Sequence, residues 1–321
     1  MRDDSLETDA PRIIAGRSNP ALAQGIATEL GVNLVECEIT NFSDGETFCQ
    51  IQENIRGGDI FIVQSTSPPV NDNLMELLLL VDAVKRASGR RITAVMPYFG
   101  YARQDRKVQS RTPISARLAA DIISTAGIDR ALFMDLHAGQ IQGFFNKPVD
   151  HLYGSMIQVD YIKKIKFENE VVVFSPDAGG VERARSFAKK LNCGLGIIDK
   201  RREAKNVAKA MHIIGEVKGM DVIIVDDMVD TAGTLTEAAT ALMNAGAASV
   251  RACFSHGVLS GKAIERINNS NITELICTSS INQDEAISKC NKLKVLDISG
   301  VFAEAIQRIH LSQSISKLFD Y

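Results

Sequence analysis

Short apolar runs alternate with segments of helical spacing along the whole chain. Ile13–Ala15, Asp59–Gln64, Arg91–Met96 and Ala131–Met134 are compact runs rich in Ile, Val and other apolar residues, and they read as strands. Between them, Ala21–Leu30, Asn71–Ala87 and Thr112–Thr125 repeat apolar residues three and four apart, as helices with one buried face do. Asn19 or Ser18 can cap the first of these helices, and Pro113 suits the first turn of the third. Val32–Ile39 reads as extended. The pattern then starts again. Helices are expected at Ser155–Ile165, Gly180–Leu191, Leu235–Met243, Ile264–Asn268 and Val301–Ile309. Strands are expected at Val171–Phe174, Gly194–Ile198, Met211–Val217, Val222–Val225, Val250–Phe254, Glu274–Cys277 and Val295–Asp297. Strands alternating with helices predict an α/β fold, with mainly parallel sheets flanked by helices. The restart near residues 148–155 predicts two similar domains, 11–150 and 151–321, with the last helix packing back on the first.

Size and composition agree with this reading. The 321 residues are enough for two cores, and 45% apolar with 23% charged residues is an ordinary globular balance. A net charge of −3 gives no general nucleic-acid or membrane surface. The six cysteines form no CxxC pair and no His–Cys cluster, which argues against structural zinc and against a disulfide framework. The leader MRDDSLETDAP is acidic and unlike a targeting peptide, so the expected location is the cytoplasm. The most apolar run, Leu74–Val84, contains Glu76 and Asp82 and is too short to span a bilayer.

The stretch VIIVDDMVDTAGTL, Val222–Leu235, carries the clearest chemistry. A buried strand followed by a short polar loop and a helix aims backbone N–H groups at an anion. Thr231, Gly233 and Thr234 suit a phosphate, while Asp226, Asp227 and Asp230 suit neutral hydroxyls or a metal held beside it. The loop therefore reads as a site for a phosphorylated polyol such as a sugar phosphate. A plain capped turn with solvated acids is the competing reading.

Other polar clusters stand where the expected strands end. Phe42-Ser43-Asp44-Gly45-Glu46 has the Asp-Gly of a turn, and a simple hairpin tip accounts for it as well. PYFGYARQDRK places Arg103 and Gln104 after a strand, where they can meet a phosphate, a ring or a base edge, or face solvent. His137 follows another strand end, with Asp135 two residues before it. It can meet Mg²⁺ or a phosphate, or be a structural histidine. Asp177, in SPDAGG, suits a metal, a ribose or a helix cap. Lys200, Arg201 and Arg202 are a solvated face or a clamp for a charge-rich transition state. Gly257–Lys262, GVLSGK, hints at a Walker loop but is one residue short, so no P-loop is expected.

NFSDGE, PYFGYARQDRK, RTPISARLAADII, DLHAGQIQGFF, SPDAGG, DKRR, MHIIGEV and VDDMVDTAGTL occur in that order, followed by SHGVLSG. In this combination the chain resembles class I ribose-phosphate diphosphokinases, the synthetases of phosphoribosyl diphosphate (PRPP). The 226–234 loop taken alone also resembles that of type I phosphoribosyltransferases. The resemblance implies two phosphoribosyltransferase-type domains and transfer of the diphosphate of ATP to ribose 5-phosphate, giving PRPP and AMP, with Mg²⁺ as cofactor. By matching positions it implies that Phe42, Asp44, Gly45, Glu46, Arg103 and Gln104 hold ATP, Asp44 and Glu46 coming from a neighbouring subunit. His137 and Asp177 would lie at the metal and phosphates. Lys200 and Arg202 would be catalytic, on a mobile loop from Lys200 to Ala210. Arg202, Asp226, Asp227, Asp230, Thr231, Ala232, Gly233 and Thr234 would bind ribose 5-phosphate. A hexamer with active sites shared between subunits, phosphate and ADP effectors, and no nucleic-acid or membrane partner complete the implication. Asn146 stands where the family usually has Asp, so either a metal is not held there or it is held more weakly; the first is favoured.

Two alternatives stand beside this, the second from another class of function. A phosphoribosyltransferase would leave FSDGE, ARQD and DLHAGQ unexplained. A non-catalytic relative would be expected to interrupt its active-site segments, whereas Lys200, Arg202 and the 226–234 loop are intact.

Overall fold

The apolar runs of the first half form strands of a five-stranded parallel sheet. The computed structural model describes residues 10–201 and 210–318. In chain order its first elements are β1 (Arg12–Ala15), α1 (Pro20–Leu30), β2 (Cys37–Asn41), β3 (Thr47–Ile51), β4 (Asp59–Val63), α2 (Val70–Arg86), β5 (Arg91–Met96), α3 (Ser115–Ala126), β6 (Arg130–Met134) and β7 (Val149–Leu152). The sheet order is β1-β4-β5-β6-β7. Every residue of β4 is buried, as a central strand covered on both faces requires. The Asn19 side chain accepts from Leu22 N at 3.3 Å and so caps α1, and Gly31, at φ 68°, ends it. β2 and β3 pair antiparallel and join neither larger sheet.

The second half continues with α4 (Ser155–Ile162), β8 (Val171–Ser175), α5 (Val181–Leu191), β9 (Gly194–Arg201), β10 (Ala210–Ile214), β11 (Asp221–Val229), α6 (Gly233–Asn244), β12 (Ser249–Gly257), α7 (Ala263–Asn268), β13 (Ile272–Thr278), α8 (Asp284–Lys289), β14 (Leu293–Leu296) and α9 (Ser299–His310). A seven-stranded sheet runs β10-β9-β8-β11-β12-β13-β14, parallel throughout except for the antiparallel β9–β10 pair. Along β11 the period of two divides the apolar residues. Val222 and Ile224 pack with Phe174, Leu235 and Leu242 on one face, and Ile223 and Val225 with Val173, Phe187 and Cys253 on the other.

The chain divides into two compact units. The first holds the described residues up to Tyr153, Ser280–Asn282 and those from Asp297 onward; the second holds Gly154–Ser279 and Gln283–Leu296. Within the first unit, α9 packs against α1.

Three local expectations need correction. α3 starts at Ser115, with Ile114 non-helical at φ −109°, ψ 82°, so Pro113 lies before the helix rather than in its first turn. β7 and α8 were not foreseen. β11 does not stop at Val225 but runs on beside β12 to Val229.

Candidate active site

In the first unit, Phe42–Glu46 form the tip of the β2–β3 hairpin, closed by the opposed pair Asn41 and Thr47. The turn holds itself together. Phe42 N donates to Glu46 O at 2.8 Å, Gly45 N to Phe42 O at 2.9 Å, and Glu46 N to Asp44 Oδ1 at 3.1 Å. Gly45 sits at φ 97°, where a side chain would be strained. Phe42 is 56% exposed and meets only the edge of the Phe48 ring among the described aromatic contacts, so an apolar ring and two carboxylates face outward together.

Arg103 and Gln104 lie, exposed, on the loop after β5. Gln104 N donates to Tyr101 O, its carbonyl accepts from Ala116 N, and its side-chain oxygen accepts from Ser115 Oγ. The bend needs Gly100, because a Cβ there would collide with the Thr66 carbonyl. His137 is also exposed, after β6, just before the 3-10 turn Gly139–Phe144. The strand end is shaped by buried Asp135, at φ 39°, and by His151, whose Nε2 accepts from Leu136 N at 2.9 Å. Asn146 is exposed beyond that turn.

In the second unit, the extension of β11 places Asp226 and Asp227 on a paired strand rather than in the loop. Asp226 Oδ1 accepts from Asp227 N at 2.9 Å. Burial, reinforced by the charge of Asp227, pushes the Asp226 carboxyl up to about 8. The chain then turns through Asp230 and Thr231 to Ala232, which is left-handed at φ 58°, and α6 starts at Gly233 with no side-chain cap. Its first-turn N–H groups lack a side-chain cap and stand beside the exposed Thr231 and Thr234, an arrangement able to meet an anion, with the acids nearby.

Sequence reasoning missed what supports this loop. Val229 O accepts from Val258 N at 2.9 Å and Leu259 N at 3.1 Å. Ser260 N donates to Asp230 O at 3.1 Å, and Ser260 Oγ donates to Asp230 Oδ1. Arg266 Nη1, on α7, donates to Thr231 O at 2.7 Å. The stretch that mimics a Walker loop is therefore a brace for the neighbouring loop. Its place after β12, the strand next to β11, was the signal available, because ligands gather at the carboxyl ends of adjacent strands.

Asp177 lies exposed between β8 and α5, where its Oδ1 accepts from Gly179 N at 2.9 Å and Gly180 N at 3.1 Å. A Cβ on Gly180 would stand 2.9 Å from Ser175 Oγ and 3.4 Å from Asp226 Oδ1, so the glycine keeps this approach open. Lys200 is the residue of β9 opposite Met211. Arg202 and most of the expected loop, 202–209, lie outside the described residues. Among the described residues no group of three His, Cys, Asp or Glu side chains converges as a metal cage.

Comparison with known proteins assigns a family to these segments. A family model described as the N-terminal domain of ribose phosphate pyrophosphokinase matches residues 11–127, and one described as the phosphoribosyl synthetase-associated domain matches residues 202–320. The chain is 54% identical to a ribose-phosphate pyrophosphokinase of Caldanaerobacter subterraneus over 97% of its own length and 98% of the relative's. It is 54% identical to one from Clostridium tetani over 98% of each chain. The crystal structure of phosphoribosylpyrophosphate synthetase from Mycobacterium smegmatis matches with a TM-score of 0.90 at 39% identity, covering 94% of this chain and 99% of that one.

Proposed function

The chain belongs to the ribose-phosphate pyrophosphokinase family, enzymes that transfer diphosphate, and from that premise we propose that it converts ATP and ribose 5-phosphate into PRPP and AMP. The observation that carries the sugar half is the β11–α6 loop: an uncapped helix N-terminus with two exposed threonines beside Asp226 and Asp230. The N–H groups of the first turn of α6 hold the 5-phosphate, and Thr231 and Thr234 donate to it. Asp226 and Asp230 accept from ribose hydroxyls, while Ser260 and Arg266 keep the loop in shape.

The nucleotide half rests on the hairpin tip and the loop after β5. The exposed Phe42 ring can stack on the adenine. Asp44 and Glu46 can accept from its amino group or from its ribose, and Arg103 pairs with phosphate. The outward presentation of this tip supports its use by a neighbouring subunit, as in the family's hexamer. In the reaction the anomeric hydroxyl oxygen bonds to the β-phosphorus and releases its proton. The bond from the β-phosphorus to the α,β-bridging oxygen breaks, and AMP leaves with that electron pair. No protein nucleophile is needed, because positioning and neutralisation of charge suffice. Lys200 and Arg202 neutralise the transferring group. His137 and Asp177 would help to hold a Mg²⁺ ion with the nucleotide phosphates, where it would withdraw charge from them. Phosphate activation and ADP inhibition belong to the same proposal. No described helix is long and apolar enough to cross a membrane.

A product assay tests the reading. Protein, ATP, ribose 5-phosphate and Mg²⁺ are mixed and the nucleotides separated. AMP and PRPP appearing together, dependent on the sugar, is the expected result. ADP in place of AMP would mean transfer of a single phosphoryl group. No turnover, with and without added phosphate, would favour a binding protein that keeps the fold.

A further inference from the structure

Arg17 lies outside every segment assigned so far, on the turn between β1 and α1. We propose that Arg17 is a positioning residue for the nucleotide, tying the hairpin that carries Phe42, Asp44 and Glu46 to the buried carboxylate of Glu76. The proposal rests on the reading of that hairpin as the ATP contact.

The anchor lies in the apolar face of α2, where the Glu76 side chain is 2% exposed between Asn73 and Leu80 of the same helix face. Three donors converge on it. Arg17 N reaches Oε1 at 2.6 Å, Gln64 Nε2 reaches Oε1 at 2.9 Å, and Arg17 Nε reaches Oε2 at 2.5 Å. A carboxylate this deep persists only when paired and hydrogen-bonded, so its partners are held firmly. The guanidinium is 41% exposed at side-chain level, and its other edge points away from Glu76. Nη1 donates to Asn41 Oδ1 at 2.5 Å, and Nη2 lies 3.4 Å from Thr47 Oγ1. Asn41 and Thr47 are the opposed pair that closes the hairpin mouth. Asn41 Nδ2 continues to Gly45 O, at the tip, at 3.0 Å. A line of hydrogen bonds therefore runs from the core through Arg17 and Asn41 to Gly45.

The hairpin needs such a line. A two-stranded ribbon is marginal alone, and β2–β3 joins neither large sheet. Packing of β3 on α2 holds the body of the ribbon, but the tip from Phe42 to Glu46 is exposed throughout. Only a planar fork can bond a carboxylate on one edge and the hairpin mouth on the other; a lysine ammonium serves one of them. Holding the tip in its binding shape in advance lowers the ordering cost of capturing the nucleotide. The relay should thus affect ATP and leave the sugar alone.

Two variants separate this role from plain stability. Arg17→Lys keeps a cation for Glu76 but loses the fork, and Asn41→Ala cuts the line while leaving the Arg17–Glu76 pair intact. Steady-state kinetics are measured with each substrate varied in turn, together with Tm. Each variant is expected to raise the KM for ATP roughly five- to tenfold. The KM for ribose 5-phosphate stays within about twofold, and the double variant is no worse than the larger single effect. Phe42→Ala is run in parallel to test the reading beneath the proposal. If Phe42→Ala raises the KM for ATP while Arg17→Lys and Asn41→Ala do not, the relay is wrong and the hairpin reading stands. If Phe42→Ala leaves that KM unchanged, the hairpin is not the nucleotide contact and the positioning role falls with it. Equal rises in both KM values for Asn41→Ala, in step with a lowered Tm, would make Arg17 a general structural residue and overturn the proposal.

Discussion

The loop between β11 and α6 grows out of a strand whose apolar residues are buried on both faces, whereas the tip between β2 and β3 ends a ribbon that joins neither large sheet. Both carry polar groups that suit a phosphorylated substrate, and they reach a defined shape by different means. In the rooted loop, the flanking strand and helix fix the backbone, and Ser260 and Arg266 add a brace from the next elements. In the hairpin the shape comes from a glycine with positive φ, from the Asp44 side chain on Glu46 N, and from the line through Arg17 to the core. A rooted site couples binding to stability, because its acids must be desolvated to sit there. A tip on a ribbon can be altered with little effect on the fold, since its side chains are in water already.

The largest expected effect tests the seven-stranded sheet that bears the rooted loop. Lys200→Ala, at the end of β9, should lower kcat about 10³-fold while leaving Tm unmoved. Unchanged AMP formation would remove Lys200 from the reaction. Next is the stability contrast itself. Ile224→Ala, a change inside the buried strand that carries the loop, should cost about 2–5 kcal/mol in urea unfolding. Phe42→Ala should stay within about 0.5 kcal/mol of the parent. Similar losses for the two would erase the distinction between a rooted and a surface site. For binding, Phe42→Ala should raise the KM for ATP about tenfold through lost stacking on the base.

A further effect is a pH dependence confined to the rooted loop. Burial raises the Asp226 carboxyl to about 8, whereas the unfolded chain releases that proton near the ordinary carboxylate range, about 4. Between those values the folded protein holds a proton that the unfolded chain lacks, so stability falls as pH rises through the window. The contribution is complete below the lower value and lost above the upper one. Asn has no such proton to lose. Thermal melts without substrate or divalent cation should therefore place Asp226→Asn above the parent at pH 8.5, with the gap closing toward pH 5. A gap independent of pH would mean that Asp226 is ionised throughout.

The strands and most helices were legible because burial on one or both faces leaves a period in the sequence. Val222–Val225 shows it, and so does the helix from Val70 to Arg86. Elements without that imprint were missed. β7 is four residues, Val149–Leu152, half of them polar; Asp150 pairs with Arg130, and His151 turns inward to a backbone N–H. α8 buries none of its residues, so no apolar period marks it. β11 was ended too early because acids read as a loop, whereas pairing with β12 carries them along the strand. Within the site, the helix start beside Thr231, Gly233 and Thr234 was readable from type and order. The braces Ser260 and Arg266 act from beyond the next strand, and Arg17 acts through two partners distant in sequence. Only three-dimensional proximity reveals such roles.

The most direct test of this division of labour is two-substrate steady-state kinetics on Phe42→Ala and Thr231→Ala side by side. The account predicts a crossed result: Phe42→Ala raises the KM for ATP alone, and Thr231→Ala raises the KM for ribose 5-phosphate alone. Both variants moving the same constant would contradict it.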